Sequence, residues 1–201
     1  MPDTHPSKSA RTVSASKGAI RAVIIVLALV GAAGALLFYG GRLNQQENDR
    51  RLNERRSRDF AAIKENPAEE ILIYDAELLA MVVADPEAAE NATSLVFTSV
   101  DFADERFAEV NKLEGLKNVG IYSSQNAEAC LDFLQGMKSI ERMWIETSPI
   151  DDGGIALLAT LPNLKQIRFE QVMSAKQIEL LEKTLPNVNV ATPFREADEP
   201  R

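Results

Sequence analysis

Between Leu95 and Val190 the apolar residues of this chain recur with a period of 24 residues, in four stretches. In each stretch the first and third residues are apolar, which is typical of a short half-buried strand. Apolar residues then follow at steps of three, a spacing that keeps them on one side of a helix. We therefore expect each unit to form a strand, a turn, a helix and a return. Successive strands are expected to pair in parallel.

The units begin at Leu95, Val119, Met143 and Ile167, and the fourth closes at Val190. In the first unit the helical positions are held by Phe107, Val110, Leu113 and Leu116. A fixed period of this length indicates a stacked repeat array, in which each unit buries its apolar side against its neighbours. Residues 71–94 are expected to cap the first repeat, and residues 191–201 to form a disordered tail.

The repeats resemble the leucine-rich repeat family. The L-x-x-L-x-L core of that family is similar to Leu116-x-x-Val119-x-Ile121 and to its equivalents in the next two units. The third unit, with TSPIDDGGIALLATLPNLKQI, is similar to the bacterial variety that reads T-x-I-T-D-x-G-L and ends its helices in L-P-N-L. The resemblance covers residues 95–190. It implies an α/β fold, a short solenoid with parallel strands lining an inner face and helices outside.

The chain departs from the family at its asparagine position. Val100, Ser124, Ser148 and Val172 stand there, so an asparagine ladder is not expected. Serine hydroxyls bond readily to nearby backbone, and the two serines are predicted to replace part of the ladder in this way.

Residues 22–39 form an apolar run without a charge. Its 18 residues would make a helix of about 27 Å, close to the thickness of a bilayer's hydrocarbon core. We predict a single transmembrane helix, with residues 1–21 as a disordered tail and residues 40–70 as a charged helical stalk. Flanking basic residues favour a cytoplasmic tail and extracytoplasmic repeats at the cell membrane. A cleaved signal peptide, with Ala33-Gly34-Ala35 as its cleavage site, is the alternative.

Charge is divided unevenly along the chain. Residues 1–65 carry a net +5 and residues 66–201 a net −13, which together give the −8 of the whole protein. A repeat domain this acidic is a poor match for nucleic acid, whose phosphates need a basic surface. The single cysteine, Cys130, excludes an intramolecular disulfide framework.

The candidate binding residues lie on the predicted inner face, at the second and fourth positions of each strand. Trp, Tyr and Arg are the residue types that most often dominate interface energies. They predict a recognition patch made of Tyr122, Trp144, Glu146, Arg168 and Glu170, with space for a ligand side chain over Gly120. The competing interpretation is that Trp144 lies over Gly120 and stacks on Arg168 as a cation–π pair, with no binding role.

Sequence features of catalysis are absent. The one histidine, His5, lies in the tail, and no glycine-rich phosphate loop or paired nucleophile and base is present. Asp151 is expected to cap a helix. We therefore predict no enzyme, no cofactor and no metal site.

The sequence predicts a membrane-anchored repeat protein that binds an unidentified protein through its inner face. Two alternatives stay open. The chain is secreted after cleavage of its signal peptide, or the repeats act as a structural spacer in a membrane complex.

Overall fold

The computed structural model describes residues 42–66, 70–146, 150–171 and 173–192. The predicted tail of residues 1–21, the predicted membrane helix of residues 22–39, Ser148 and Val172 all lie outside these ranges. Within them no helix is both long and apolar enough to span a bilayer. The chain divides into two compact units, Met1–Glu54 and Arg55–Arg201.

The second unit is built around one parallel sheet of six strands, which follow each other in chain order. This arrangement of strands with intervening helices confirms the α/β class predicted from the sequence. The strands are β1 (Ile71–Ile73), β2 (Ser94–Thr98), β3 (Asn118–Tyr122), β4 (Arg142–Ile145), β5 (Gln166–Phe169) and β6 (Asn189–Ala191).

The strand register follows the 24-residue period. Leu95 pairs with Val119, Val119 with Met143, and Met143 with Ile167. The same offset extends to β1, where Ile71 pairs with Leu95. The segment 71–94, which the sequence predicts as a cap, is thus a further strand–helix unit in the same register. At the other end Ile167 pairs with Val190, an offset shorter by one residue.

The connections between strands are helical. Helix α1 spans residues 42–65, and its residues 55–65 belong to this unit. The other helices are, in chain order, α2 (Ala76–Ala84), α3 (Pro86–Asn91), a 3-10 helix (Glu105–Lys112), α4 (Ala127–Phe133), α5 (Asp152–Leu158) and α6 (Ala175–Thr184). The 3-10 helix suits the spacing of Phe107 and Val110, because residues three apart lie directly above each other in a helix of three residues per turn.

The core lies between the sheet and the helices that connect its strands. Strand residues at odd positions, such as Leu95 and Ile121, are fully buried there. Three aromatic rings reinforce the first repeat: Phe97 packs edge-on against Phe102 at 5.2 Å and against Phe107 at 6.0 Å between ring centroids. The apolar residues that recur along the sequence therefore form one continuous core.

Helix α1 ends at residue 65, just before Asn66-Pro67, where proline disfavours a continuing helix. Its described residues in the first unit, 42–54, carry exposed ion pairs one turn apart, Arg50 with Glu54 and Arg51 with Glu47. This part agrees with the predicted charged stalk.

Residues 55–65 of α1 behave differently, because they belong to the second unit and pack on it. Phe60 and Ile63 are partly buried against the core. Arg56 donates to Asp75 at 2.8 Å, and Lys64 donates to Asp85 at 2.8 Å. These two aspartates also cap α2 and α3, since each accepts a backbone N–H of the helix that follows it.

Two predicted boundaries are therefore wrong. The stalk does not reach residue 70 as a solvated helix, because residues 55–65 cover apolar residues at the start of the sheet. The C-terminal tail does not begin at residue 191, because Ala191 is paired with Arg168 in β6.

Candidate functional site

The inner face is the side of the sheet turned away from the core. The register places one residue from each strand in a single row across it, in the order Leu72, Val96, Gly120, Trp144, Arg168 and Ala191. This row contains two of the predicted patch residues, and their order along it is the predicted one. The structure therefore brings Trp144 and Arg168 side by side on neighbouring strands.

The space over Gly120 is filled by Tyr122. A Cβ atom added at Gly120 would lie 2.7 Å from Cε2 of Tyr122 and 3.0 Å from Cγ2 of Val96. The tyrosine ring therefore covers its own strand at the glycine, and Val96 is only 6% exposed even though it faces away from the core. The prediction of an open space over Gly120 for a ligand side chain is wrong.

Arg168 pairs with an acidic neighbour on its own strand. Its Nη2 lies 3.1 Å from Oε1 of Glu170, and the two side chains are 53% and 35% exposed. Among the described residues no cation–π contact joins Arg168 to Trp144; the guanidinium of Arg55 lies 4.2 Å from the ring centroid of Tyr74. The stacked Trp144–Arg168 pair of the competing interpretation is thus not formed. Trp144 is half-buried without it.

Tyr122 lies in a field of carboxylates. Burial raises the pKa of its phenol, and the negative charges of Glu170, Glu70 and Glu146 raise it further, while Arg168 lowers it. Within the described ranges neither Glu70 nor Glu146 has an ion-pair partner, whereas Glu170 has Arg168. Within the predicted patch, Trp144 and Arg168 are neighbours across β4 and β5, and Arg168 pairs with Glu170. Its two glutamates and one arginine give it a net negative charge.

The turn after β3 orders the base of this patch. The hydroxyl of Ser124 donates to the carbonyl of Tyr122 at 2.8 Å, and it accepts the backbone N–H of Val100 at 3.3 Å. Ser124 is 4% exposed, so its hydroxyl is satisfied inside the protein. The prediction that this serine bonds to turn backbone is confirmed. It ties the end of β3 to the preceding repeat and holds the backbone that carries Tyr122.

A groove beside β1 adds residues that the sequence analysis missed. Its volume is about 330 Å³, and its lining includes Ile63, Glu70, Ile71, Leu72 and Tyr74. Leu72 is 50% exposed, one of two large apolar side chains that are exposed in the described ranges. Leu72 belongs both to this groove and to the row of residues on the inner face. The signal in the sequence was the 24-residue step from Ile71 to Leu95, which places Leu72 in the same row as Trp144.

Other polar residues have structural roles. Asp151 caps α5 by accepting from the N–H groups of Gly153 at 2.7 Å and Gly154 at 3.0 Å, which confirms its predicted role. These bonds hold the pKa of its carboxyl below the usual range. Complete burial raises the pKa of the Cys130 thiol, so this cysteine stays in its unreactive protonated form. Across the described ranges no group of three acidic, histidine or cysteine side chains is placed to hold a metal ion.

Comparison of the chain with protein-family models, curated proteins and solved structures found no match. The fold is that of an α/β protein with a six-stranded parallel sheet, in which β1 to β5 follow each other in register at 24-residue intervals. Its inner face carries aromatic and acidic side chains.

Proposed function

We propose that this protein is a membrane-anchored leucine-rich-repeat protein that binds another protein through its inner face. The observation that carries the proposal is the pair of half-buried aromatics, Tyr122 and Trp144, on the sheet face that the core does not use. Aromatic side chains flanked by charged ones are typical of interface residues that contribute most to binding. The binding patch is Tyr122, Trp144, Glu146, Arg168 and Glu170.

The family and the membrane anchor are supported by the sequence. The repeat period and the L-P-N-L ending of the third unit resemble leucine-rich repeats, and the parallel register is compatible with them. The uncharged run of residues 22–39 is long enough for a single span. The proposed arrangement is a cytoplasmic N-terminus, one span, and repeats on the extracytoplasmic side.

The binding proposal is tested by site-specific photo-crosslinking. Variants of the full chain are expressed in the cells in which the protein normally occurs. A photoreactive benzoyl-phenylalanine replaces Trp144 in one variant and the exposed Glu179 of α6 in a control. We expect a discrete partner adduct from position 144 and none from position 179. In a chain that carries the crosslinker at position 122, Arg168→Glu should abolish the adduct without changing the circular dichroism spectrum. Equal adducts from positions 144 and 179 would contradict the proposal.

A spacer role is the second candidate, and one observation favours it. The ring of Tyr122 already fills the space over Gly120, so this part of the face lacks an open cavity. A spacer predicts no adduct from either position of the inner face, while loss of the whole repeat domain disrupts its complex.

Topology is tested separately with a C-terminal tag and protease added to intact cells. Digestion at the cell surface supports an anchored, outward-facing domain. A shortened, released chain supports signal-peptide cleavage, and protection until the membrane is opened places the repeats in the cytoplasm.

A further inference from the structure

We propose that the partner presents an extended segment with one leucine-like side chain and one lysine or arginine, which docks across the inner face from the β1 groove to Trp144. The apolar side chain enters the groove beside Leu72, and the cation lies against Trp144 and Tyr122, next to Glu146. This inference rests on the proposed function, because it names the chemistry of the partner at the same face.

The apolar half of this site is the groove beside β1. Its apolar lining includes Ile63 of α1 and Leu72 of β1, and the charged side chains of Arg55, Asp59 and Glu70 also line it. Leu72 is half-exposed, while its neighbour in the row, Val96, is only 6% exposed. An apolar side chain entering here would remove Leu72 from water without displacing a packed residue, so burial favours the complex.

The polar half is the group of carboxylates around Tyr122. The backbone N–H of Glu146 bonds to the carbonyl of Ile121 at 3.0 Å, which places Glu146 beside Tyr122 on the neighbouring strand, while Glu70 lines the groove. Glu70 and Glu146 have no ion-pair partner among the described residues, and each therefore offers a charge that a partner cation can neutralise. The aromatic faces of Tyr122 and Trp144 also favour a cation placed over them.

Charge decides between a foreign partner and a second copy of this chain. Residues 55–201 carry a net −11, so two such domains repel each other when they approach face to face. A basic segment is attracted by the same field and is steered to the face.

The spacing of the strands sets the length of the segment. From Leu72 on β1 to Trp144 on β4 there are three strand spacings, about 14 Å. An extended chain covers about 3.3 Å per residue, so the apolar and the basic side chains are expected about four residues apart.

The test measures binding of fluorescein-labelled peptides to the purified full-length chain by fluorescence anisotropy at two salt concentrations. The probe peptide has leucine and lysine four residues apart in a glycine–serine background. Comparison peptides carry glutamate in place of lysine, or serine in place of leucine. We expect the leucine–lysine peptide to bind and both comparison peptides to bind at least about fivefold more weakly.

Matched variants locate the binding. Glu146→Gln should weaken the leucine–lysine peptide about fivefold, while Glu179→Gln, which removes the same charge from α6, should leave it unchanged. Leu72→Ser should weaken binding, whereas Leu43→Ser, at the other exposed leucine, should not.

Several outcomes overturn the proposal. Equal losses from Glu146→Gln and Glu179→Gln would mean general attraction to an acidic protein. If the glutamate peptide bound as tightly as the leucine–lysine peptide, the protein would not recognise the cation. A dimer in sedimentation that Leu72→Ser dissociates would assign the face to self-association. If no peptide binds while position 144 still crosslinks, the partner chemistry is wrong and the proposed function stands. If peptides bind but position 144 gives no adduct, the proposed function fails instead.

Discussion

The core side and the inner face of the sheet differ in the residue types that they carry and in how deeply these are buried. On the core side, the residues of β1 to β5 are apolar and almost fully buried, from Ile71 to Phe169. On the inner face, the same strands present leucine, valine, glycine, tryptophan and arginine in one row. Each repeat meets the same environment on the core side, because its neighbours are copies of itself. On the inner face the side chains meet one another and the solvent, and the residues differ from repeat to repeat.

This difference separates stability from recognition. The core side selects residues by size and apolarity, since close packing leaves little freedom. The inner face tolerates variation, and its unusual residues are therefore informative about binding. Substitutions matched across the two sides test whether the separation holds.

The largest expected effect is that of Phe97→Ala on the core side. Phe97 is fully buried and contacts two other rings, so its removal leaves a cavity and should cost about 3–5 kcal/mol of unfolding free energy. Trp144→Ala on the inner face should cost about 1 kcal/mol or less, because Trp144 is only half-buried. Urea denaturation followed by circular dichroism measures both. Similar losses for the two variants would show that the inner face is part of the core.

Replacing one glycine in α5 and one on the inner face by alanine extends the comparison of the two sides. A Cβ at Gly154, in α5, would lie 2.1 Å from Cγ2 of Ile150, so Gly154→Ala should cost about 1–3 kcal/mol by overpacking. A Cβ at Gly120 meets Cγ2 of Val96 at 3.0 Å and the ring of Tyr122 at 2.7 Å, and the tyrosine is a side chain that can swing toward solvent. Gly120→Ala should therefore cost under about 1 kcal/mol, partly because alanine suits a strand better than glycine. Thermal denaturation of the two variants checks the order, and the reverse order would contradict it.

At the β1 edge of the sheet, Arg56 holds residues 55–65 of α1 in place. Its side chain is 14% exposed and bonds to Asp75 and Glu77, so Arg56→Ala should cost about 1–2 kcal/mol and loosen α1. The matched control is Arg50→Ala, in an exposed helical pair, with about 0.5 kcal/mol or less. Hydrogen exchange of the amides of residues 56–65 should rise in the first variant alone. Unchanged exchange would mean that apolar packing of Phe60 and Ile63 suffices.

The smallest expected effect is a loss of stability in acid that arises at the turns. Bonds to Arg106 lower the pKa of Glu77 and Asp104, and backbone N–H groups lower that of Asp151. Carboxyls whose pKa is lowered by folding stabilise the protein above the unfolded value, near pH 4, and this contribution is lost as the pH falls through the folded value.

Urea midpoints should therefore be level from pH 7 to about pH 5 and fall below about pH 4. Asp151→Asn should make the fall shallower, since the amide still accepts hydrogen bonds but does not titrate. An identical fall in this variant would assign the acid lability to other groups.

Much of the fold follows from the order of residues along the chain. The period of 24, the strand positions and the parallel register could be predicted, because a repeated burial pattern leaves a repeated sequence pattern. The cap at Asp151 and the turn bond of Ser124 could also be predicted, since both depend on contacts with nearby backbone. These features depend either on residues that are close in the sequence or on a pattern that each repeat carries.

The tertiary structure decided what neither local pattern nor repetition contains. The direction of the Tyr122 side chain over Gly120 depends on the space that one glycine leaves, and a strand residue has more than one allowed rotamer. The docking of residues 55–65 depends on aspartates that are about twenty residues away in sequence, Asp75 and Asp85. The sequence determined the repeat and its core because each unit buries the same side, whereas the binding face required knowing which different side chains meet across the strands.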